Sequence, residues 1–263
     1  MPISPHQTAI APHTHKPDRL FRQMKQRSPF TKIQCNCSDV KIENIANFKE
    51  VKMVTLAAKN LNFEDVHHLL GFHESGEMGI FSDYLDLESI SDFEQTELTE
   101  ICTNFRRYLL SGRVSEGQIK FLALAPLMNL TGYYNQAIEL LLEENIQRID
   151  ILEADTSITG RYDILAVKKS GVPNLTKLWV LIVEAKRAGI EPFTGIPQLL
   201  TYAHESLQSQ SSVWGLATNG LHFQFIRIFA GESPSYQLFP SLSLIESEPS
   251  IQILKVLKAI CKS

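Results

Sequence analysis

After the first 60 residues, apolar positions recur every three to four residues, which is the period of helices. Asn62 can cap a short helix that Gly71 ends. A longer helix is predicted from about Ser91 to Leu110, with an apolar stripe on one face and acidic residues on the other. A third helix begins at Ser115, and we expect it to bend at Pro126.

Beyond Gly132 the apolar period changes from that of a helix to that of a strand. The strands predicted from alternation are 138–142, 149–151, one beginning at Ile158, and Arg161–Val167. A turn is predicted over Lys168–Lys177. The unbroken apolar run Leu178–Val183 is typical of a central strand that is covered on both faces.

In the last third of the chain, Pro197 occupies a first-turn position of a helix predicted to run to about Ser209. Asn219-Gly220 then separates two apolar runs, 213–217 and 222–228, and predicts a hairpin with a type I′ turn. A last helix is predicted over 250–261. This order of elements predicts an α/β fold, in which a central mixed β-sheet is flanked by helices.

Composition divides the chain into four segments. Residues 1–52 are basic, and residues 1–38 show no helical or strand period, so we expect a disordered arm that can touch phosphates. Two alternatives for this arm are a transit peptide and a start codon assigned too early, with Met53 as the first residue. A helical extension (53–111), a core (112–230) and a C-terminal loop and helix (231–263) are predicted to follow.

The net charge of −4 excludes little, because the charges are unevenly spread. Residues 61–160 carry five Lys/Arg against eighteen Asp/Glu, whereas residues 161–191 carry six against three. The local field, rather than the sum, governs whether a polyanion binds. The chain shows no membrane span, no secretory pattern and no disulfide framework, and Cys35-x-Cys37 lacks the second pair of a zinc site. We therefore expect a cytoplasmic protein with no membrane partner.

Two acids and a lysine are predicted to meet at the end of the buried strand. A hairpin centred between Pro173 and Asn174 sets Asp163 opposite Glu184, because both residues lie equally far from that centre. Facing Cβ atoms on paired strands are about 5 Å apart. Lys186 lies two residues beyond Glu184 and therefore points to the same side.

Two carboxylates this close repel each other unless positive charge lies between them. Lys186 supplies some of that charge, and a divalent cation would supply more. A hard cation held by carboxylates lowers the pKa of its bound water and offsets charge during phosphodiester hydrolysis. Mg²⁺ suits such a site because it needs only one or two protein carboxylates, and Mn²⁺ is the expected substitute.

Three motifs resemble those of the PD-(D/E)XK nucleases whose subgroup carries Gln-x-x-x-Tyr: Gly160-Arg161-Tyr162-Asp163, Val183-Glu184-Ala185-Lys186 and Gln198-Leu199-Leu200-Thr201-Tyr202. The likeness is to the nuclease domain of type I restriction enzyme R subunits and to stand-alone cyanobacterial restriction endonuclease relatives. It covers about residues 112–230 and implies a restriction-endonuclease-like core. Tyr162 departs from the pattern, since the family's name has proline there.

The resemblance implies a role for each matched residue. The implied catalytic set is Asp163, Glu184, Lys186, Gln198 and Tyr202. The implied metal ligands are Asp163, Glu184 and Glu116, the last because Ser115-Glu116 ahead of 121–126 resembles the family's first core helix, whose acid often contributes to the metal site. Lys186 would serve the attacking water, while Gln198 and Tyr202 would position the lysine or the substrate strand. Arg161 and Arg187 adjoin the motifs and are the expected nucleic-acid contacts.

The expected function is that of a Mg²⁺-dependent DNA endonuclease of the restriction or defence type. No Gly-x-x-x-x-Gly-Lys-Ser/Thr occurs in these residues, so we expect a nuclease module without an ATP motor. The expected partners are DNA and a separate specificity or motor subunit, or a second copy of the chain in a homodimer. The alternative is a catalytically weak or inactive protein of the same fold that binds DNA or protein.

Each candidate residue also has a purely structural explanation. Glu-x-Lys on a strand is commonly a surface ion pair, and an acid just after a helix cap, such as Glu116, commonly offsets the helix dipole. Arg161 and Arg187 can be solvated surface residues, and Tyr202 can be a core residue. Only the combination of the motifs favours the catalytic interpretation.

Overall fold

The computed structural model of the protein describes residues 53–169 and 177–263. Its α-helices are α1 (Phe63–Leu70), α2 (Asp92–Ser111), α3 (Glu116–Ile119), α4 (Ala125–Leu130), α5 (Ile196–Ser206) and α6 (Ser247–Lys262). Its strands are β1 (Val54–Ala57), β2 (His73–Glu74), β3 (Ile138–Leu142), β4 (Ile149–Ile151), β5 (Thr156–Thr159), β6 (Ile164–Lys168), β7 (Leu178–Ala185), β8 (Ser212–Thr218), β9 (His222–Phe229), β10 (Ser235–Leu238) and β11 (Leu242–Ser243). The predicted arm, Cys35-x-Cys37 and the centre of the turn predicted over Lys168–Lys177 lie outside the described residues.

The larger sheet is mixed and has β7 near its centre. Its strand order is β2-β10-β9-β8-β7-β6-β3, and β11 pairs with β9. β7 runs antiparallel to β6 and parallel to β8. A separate sheet has the order β1-β5-β4, with β1 parallel to β5. The predicted α/β class with a large mixed sheet is therefore confirmed.

Helices cover both faces of the larger sheet, because β7 presents apolar side chains to both sides. On one face, Leu181 and Val183 join a core that includes residues of α2, α4 and α6. On the other face, Ile182 joins a core that includes Leu70 of α1 and Leu199 of α5. The unbroken apolar run of β7 thus reflects burial on both sides.

The predicted helix boundaries are set by local capping. Asn62, Ser91 and Ser115 each accept a hydrogen bond from the backbone of the third helical residue, and each forms a capping box. Gly71 ends α1 in the left-handed region, at φ +71°. α6 begins at Ser247, three residues before the predicted start, because Pro249 fits into the first turn of a helix.

A π-helical turn over Lys120–Leu124 precedes Pro126, the residue at which we predict a bend. Pro126 has no N–H, and in an α-helix its ring would meet the carbonyl of Leu122. The helix widens instead, so that the Ala125 N–H donates to the Lys120 carbonyl, and α4 starts with proline in its first turn.

The type I′ turn predicted at Asn219-Gly220 is wrong, although the hairpin of β8 with β9 is present. A type I′ turn needs positive φ at both central residues, and only Gly220 has it, at φ +80°. Asn219 instead accepts hydrogen bonds at its side-chain oxygen from the N–H groups of Leu221 and His222. The loop therefore contains three residues between the strands.

The described residues belong to one compact unit. Elements on either side of the predicted boundaries at 111/112 and 230/231 share its cores, since α2 packs with α4 and α6, and β10 pairs with β9. The segment predicted as a helical extension also contributes β1 and β2. Within the described ranges, no helix has the length and apolar character that crossing a membrane requires.

We expect Gly220→Ala to destabilise the protein by about 2–4 kcal/mol. A Cβ there would lie 2.4 Å from the Phe105 ring, and the backbone has positive φ. Gly117→Ala is the control, because Gly117 lies in α3 with open space around its Cβ position, so alanine should be neutral or stabilising. Urea unfolding of the two variants measures the difference, and similar midpoints would contradict this account.

Candidate active site

Strand alternation brings Glu184 and Lys186 to the same side of β7. Their neighbours Val183 and Ala185 belong to the core on the α2 side of the sheet, so Glu184 and Lys186 face the α5 side. The Lys186 N–H donates to the Thr218 carbonyl at 2.7 Å and so extends the pairing of β7 with β8 beyond the end of β7. The Lys186 backbone is thereby fixed just beyond the C-terminal end of β7.

Asp163 lies next to these residues because of the β6–β7 register. Ile164 pairs with Val183, as the predicted hairpin centre requires, which leaves Asp163 beside Glu184 and Ala185. The predicted strand start at Arg161 is wrong, since β6 begins at Ile164. The Asp163 Oδ2 atom accepts the Ala185 N–H at 2.7 Å, where a strand carbonyl would otherwise do so.

A chain of hydrogen bonds connects Glu184 to α5. The Lys186 Nζ atom donates to Glu184 Oε1 at 2.8 Å and to Gln198 Oε1 at 2.7 Å. The Gln198 amide donates to the Tyr202 hydroxyl, which in turn donates to the Arg161 carbonyl at 2.7 Å. Gln198 and Tyr202 are four residues apart and share one helix face. Tyr202 is therefore both a buried core residue and a member of this chain.

The surroundings of the Glu184 carboxyl group disfavour its charged form. Its side chain is only 6% exposed, and its Oε2 atom is buried with no hydrogen-bond partner among residues 53–169 and 177–263. Burial raises the pKa of Glu184 to about 7, and the Asp163 charge adds to this effect, while Lys186 opposes it. A buried carboxylate oxygen without a partner points to a missing donor or cation.

The candidate residues line one cleft of about 760 Å³. Its lining includes Asp163, Glu184, Lys186, Gln198, Tyr202, Glu116 and Arg161. The Gly195 backbone packs closely against two of these side chains. A Cβ at this position would lie 3.1 Å from Lys186 Cε and 3.2 Å from Glu184 Cγ. The five predicted catalytic residues thus share a single space with Glu116 and Arg161.

The outlying candidates differ in their positions. Glu116 is exposed, and its charge contributes to the raised pKa of Glu184. The Arg161 side chain is 59% exposed and lies 3.5 Å from Glu143 Oε2. Arg187 does not line the cleft; it lies with Arg113 in a neighbouring depression of about 690 Å³ that Glu116 also lines.

Sequence reasoning missed two charged residues beside Asp163. The Lys120 Nζ atom lies 3.0 Å from Asp163 Oδ1 and 2.7 Å from Glu143 Oε1. The signal available for Lys120 was its position four residues after Glu116, which places the two on one helix face. No comparable signal marked Glu143, whose backbone has φ +53°.

Among residues 53–169 and 177–263, no group of three or more His, Cys, Asp or Glu side chains is arranged to hold a metal ion. The acids available in the cleft are Asp163 and Glu184, with Glu116 at its rim. Comparisons with protein-family models and with curated proteins find no match to this chain. The site is therefore interpreted from its own geometry.

We expect Glu184→Gln to stabilise the protein at pH 8 in EDTA by on the order of 1–3 kcal/mol. A raised pKa means that the native state favours protonated Glu184, so the stability of the wild type falls as the pH rises from about 4.5 to about 7. Glutamine resembles the protonated form and does not titrate. Urea unfolding at pH 5 and pH 8 measures the gap between variant and wild type, which should be small at pH 5.

The control for this experiment is Glu153→Gln, which changes an exposed acid. Its stability relative to the wild type should be nearly the same at both pH values. A Glu184→Gln gap that does not grow between pH 5 and pH 8 would show that Glu184 is not destabilised by its surroundings.

Proposed function

We propose that this protein is a metal-dependent DNA endonuclease with a restriction-endonuclease-like core. The observation that carries the proposal is the convergence of Asp163, Glu184 and Lys186 in one cleft, with Lys186 held from α5 by Gln198. The mixed sheet supports it. Glu184 and Lys186 lie at the C-terminal end of β7, a strand with an antiparallel neighbour on one side and a parallel neighbour on the other.

The donor set fits a hard divalent cation. Asp163 Oδ1 faces the ammonium group of Lys120, and Glu184 Oε2 is a buried oxygen with no hydrogen-bond partner in the described part of the chain. Mg²⁺ commonly uses one or two carboxylates and retains several waters, so it does not need a cluster of three side chains. Asp163 and Glu184 would hold the ion, with Glu116 as the nearest further acid at the cleft rim.

When bound, Mg²⁺ or Mn²⁺ would lower the pKa of a coordinated water and offset charge on the phosphodiester. Lys186 is the residue suited to the attacking water, because two acceptors fix its ammonium group within the cleft. Gln198 and Tyr202 position Lys186 through the hydrogen-bond chain that ends on the Arg161 carbonyl. Arg161 lies at the cleft with its side chain largely exposed, which suits a phosphate contact.

DNA is the proposed substrate. Within the 263 residues, no phosphate-binding loop of an ATP motor occurs. We therefore propose a nuclease module that acts with a separate specificity or motor subunit, or as a homodimer. Of the six basic residues in 161–191, Arg161 and Lys186 line the cleft and supply positive charge beside Asp163 and Glu184.

Lys186→Ala should reduce plasmid cleavage by a factor of about 10²–10⁴, the usual effect of removing a positioned acid–base group. Supercoiled plasmid is incubated with wild type or variant in Mg²⁺, Mn²⁺ or EDTA, and nicked and linear products are measured. Lys177→Ala is the matched control, since Lys177 pairs with Glu139 at 2.7 Å and does not line the cleft. The control should cut like the wild type.

Two outcomes would contradict the proposal. The first is that wild type neither nicks nor cuts with either metal ion. The second is that Lys186→Ala cuts as fast as wild type. DNA binding without any cleavage would instead support the alternative of an inactive protein that binds nucleic acid.

Arg161→Ala should weaken DNA binding and reduce the slope of log K against log salt concentration by about one. Binding is measured in EDTA, so that no cleavage occurs, by fluorescence anisotropy over a range of salt concentrations. Arg148→Ala is the control, because Arg148 is exposed and pairs with Asp150 outside the cleft. An unchanged slope for Arg161→Ala would exclude a phosphate contact at this residue.

A further inference from the structure

Lys120 is the second cation beside the two acids of the cleft. It is the first residue of the π-helical turn, and its side chain is 22% exposed. The ammonium group lies 3.0 Å from Asp163 Oδ1.

The two oxygens of Asp163 have different partners. Oδ2 accepts the Ala185 N–H at 2.7 Å, a bond that holds the carboxylate to the end of β7. Oδ1 is therefore the oxygen left to face a cation, and Lys120 is bound to it. A divalent ion that binds Asp163 must compete with Lys120 for Oδ1 or share that atom with it.

Lys120 has a second carboxylate that can keep it charged if Asp163 is taken. Glu143 Oε1 lies 2.7 Å from its Nζ atom, and Arg161 lies 3.5 Å from the other oxygen of Glu143. Lys120 can thus release Asp163 while it remains an ammonium ion held by Glu143.

We propose that Lys120 is a positioning residue that occupies the cation-facing oxygen of Asp163 in the metal-free protein and yields it to a divalent ion. This inference rests on the proposed function. Lys120 holds Asp163 in place beside Glu184 before the ion binds, and competition with its ammonium group lowers the affinity for the ion. The metal affinity of the site is therefore set partly by a residue outside the three motifs.

The test is direct binding of Mn²⁺, followed by the loss of the free-ion signal in electron paramagnetic resonance. Lys120→Met keeps the length of the side chain and removes its charge, so Mn²⁺ should bind about tenfold more tightly than to wild type. Lys120→Arg retains a cation next to Asp163 and should bind Mn²⁺ much as wild type does. This readout does not depend on cleavage.

Lys59→Met is the matched control for the general effect of removing one positive charge from the cleft. Lys59 lines the same cleft, and within the described residues it forms no ion pair with Asp163 or Glu184. Its loss removes one positive charge from the same space without freeing an oxygen of Asp163. The affinity for Mn²⁺ should then change by less than about threefold, since long-range charge effects are screened by salt.

A second measurement distinguishes an altered metal affinity from misfolding of Lys120→Met. In EDTA this variant should melt at a lower temperature than wild type, because Asp163 loses its cationic partner beside Glu184. Added Mn²⁺ should raise its melting temperature by more than that of wild type, since tighter binding stabilises the native state more. A smaller rise than in wild type would overturn the inference.

The failure of this inference can be told apart from that of the proposed function. Equal Mn²⁺ affinities for wild type and Lys120→Met would overturn the role of Lys120 while leaving the metal site in place. An equal gain in affinity from Lys59→Met would also overturn it, since charge alone would then explain the effect. No binding of Mn²⁺ to wild type or to any variant would overturn both proposals.

Discussion

The antiparallel pairing of β6 with β7 fixes the geometry on which the cleft depends. A shift of one residue would turn Glu184 and Lys186 towards the opposite core, because side chains alternate across a strand. The bulge between Ala166 and Val167 absorbs an irregularity at the far end of the hairpin, so the pairing next to Asp163 stays regular. The Ala185 N–H then holds the Asp163 side chain at the end of β7.

This arrangement puts two carboxylates close together at a place where water is excluded from one of them. Burial and the neighbouring Asp163 raise the pKa of Glu184, and its Oε2 atom has no hydrogen-bond partner within the part of the chain that the structure describes. Two lysines offset the repulsion between the carboxylates: Lys186 forms an ion pair with Glu184, and Lys120 forms one with Asp163. The unfavourable burial makes structural sense if a cation completes the site, since functional sites commonly keep such local strain.

Different helical elements position the two lysine ammonium groups. α5 supplies Gln198, which fixes the Lys186 ammonium group, and Tyr202, which carries the hydrogen bonding to the Arg161 carbonyl. The first residue of the π-helical turn, Lys120, pairs with Asp163. Both supports come from outside β6 and β7, so the sheet places the acids while the helices position the charges that balance them.

The sequence by itself determined the features that depend on near neighbours or on strict symmetry. Capping boxes at Asn62, Ser91 and Ser115 act within one helical turn, and equal spacing about a hairpin centre located Asp163 beside Glu184. Tertiary structure decided the rest, because such contacts join distant segments: Lys120 meets Asp163 across 43 positions. Likewise, packing left Glu184 Oε2 without a hydrogen-bond partner among the described residues. The turn at Asn219 was mispredicted for a local reason, because its side-chain oxygen accepts the N–H groups of Leu221 and His222.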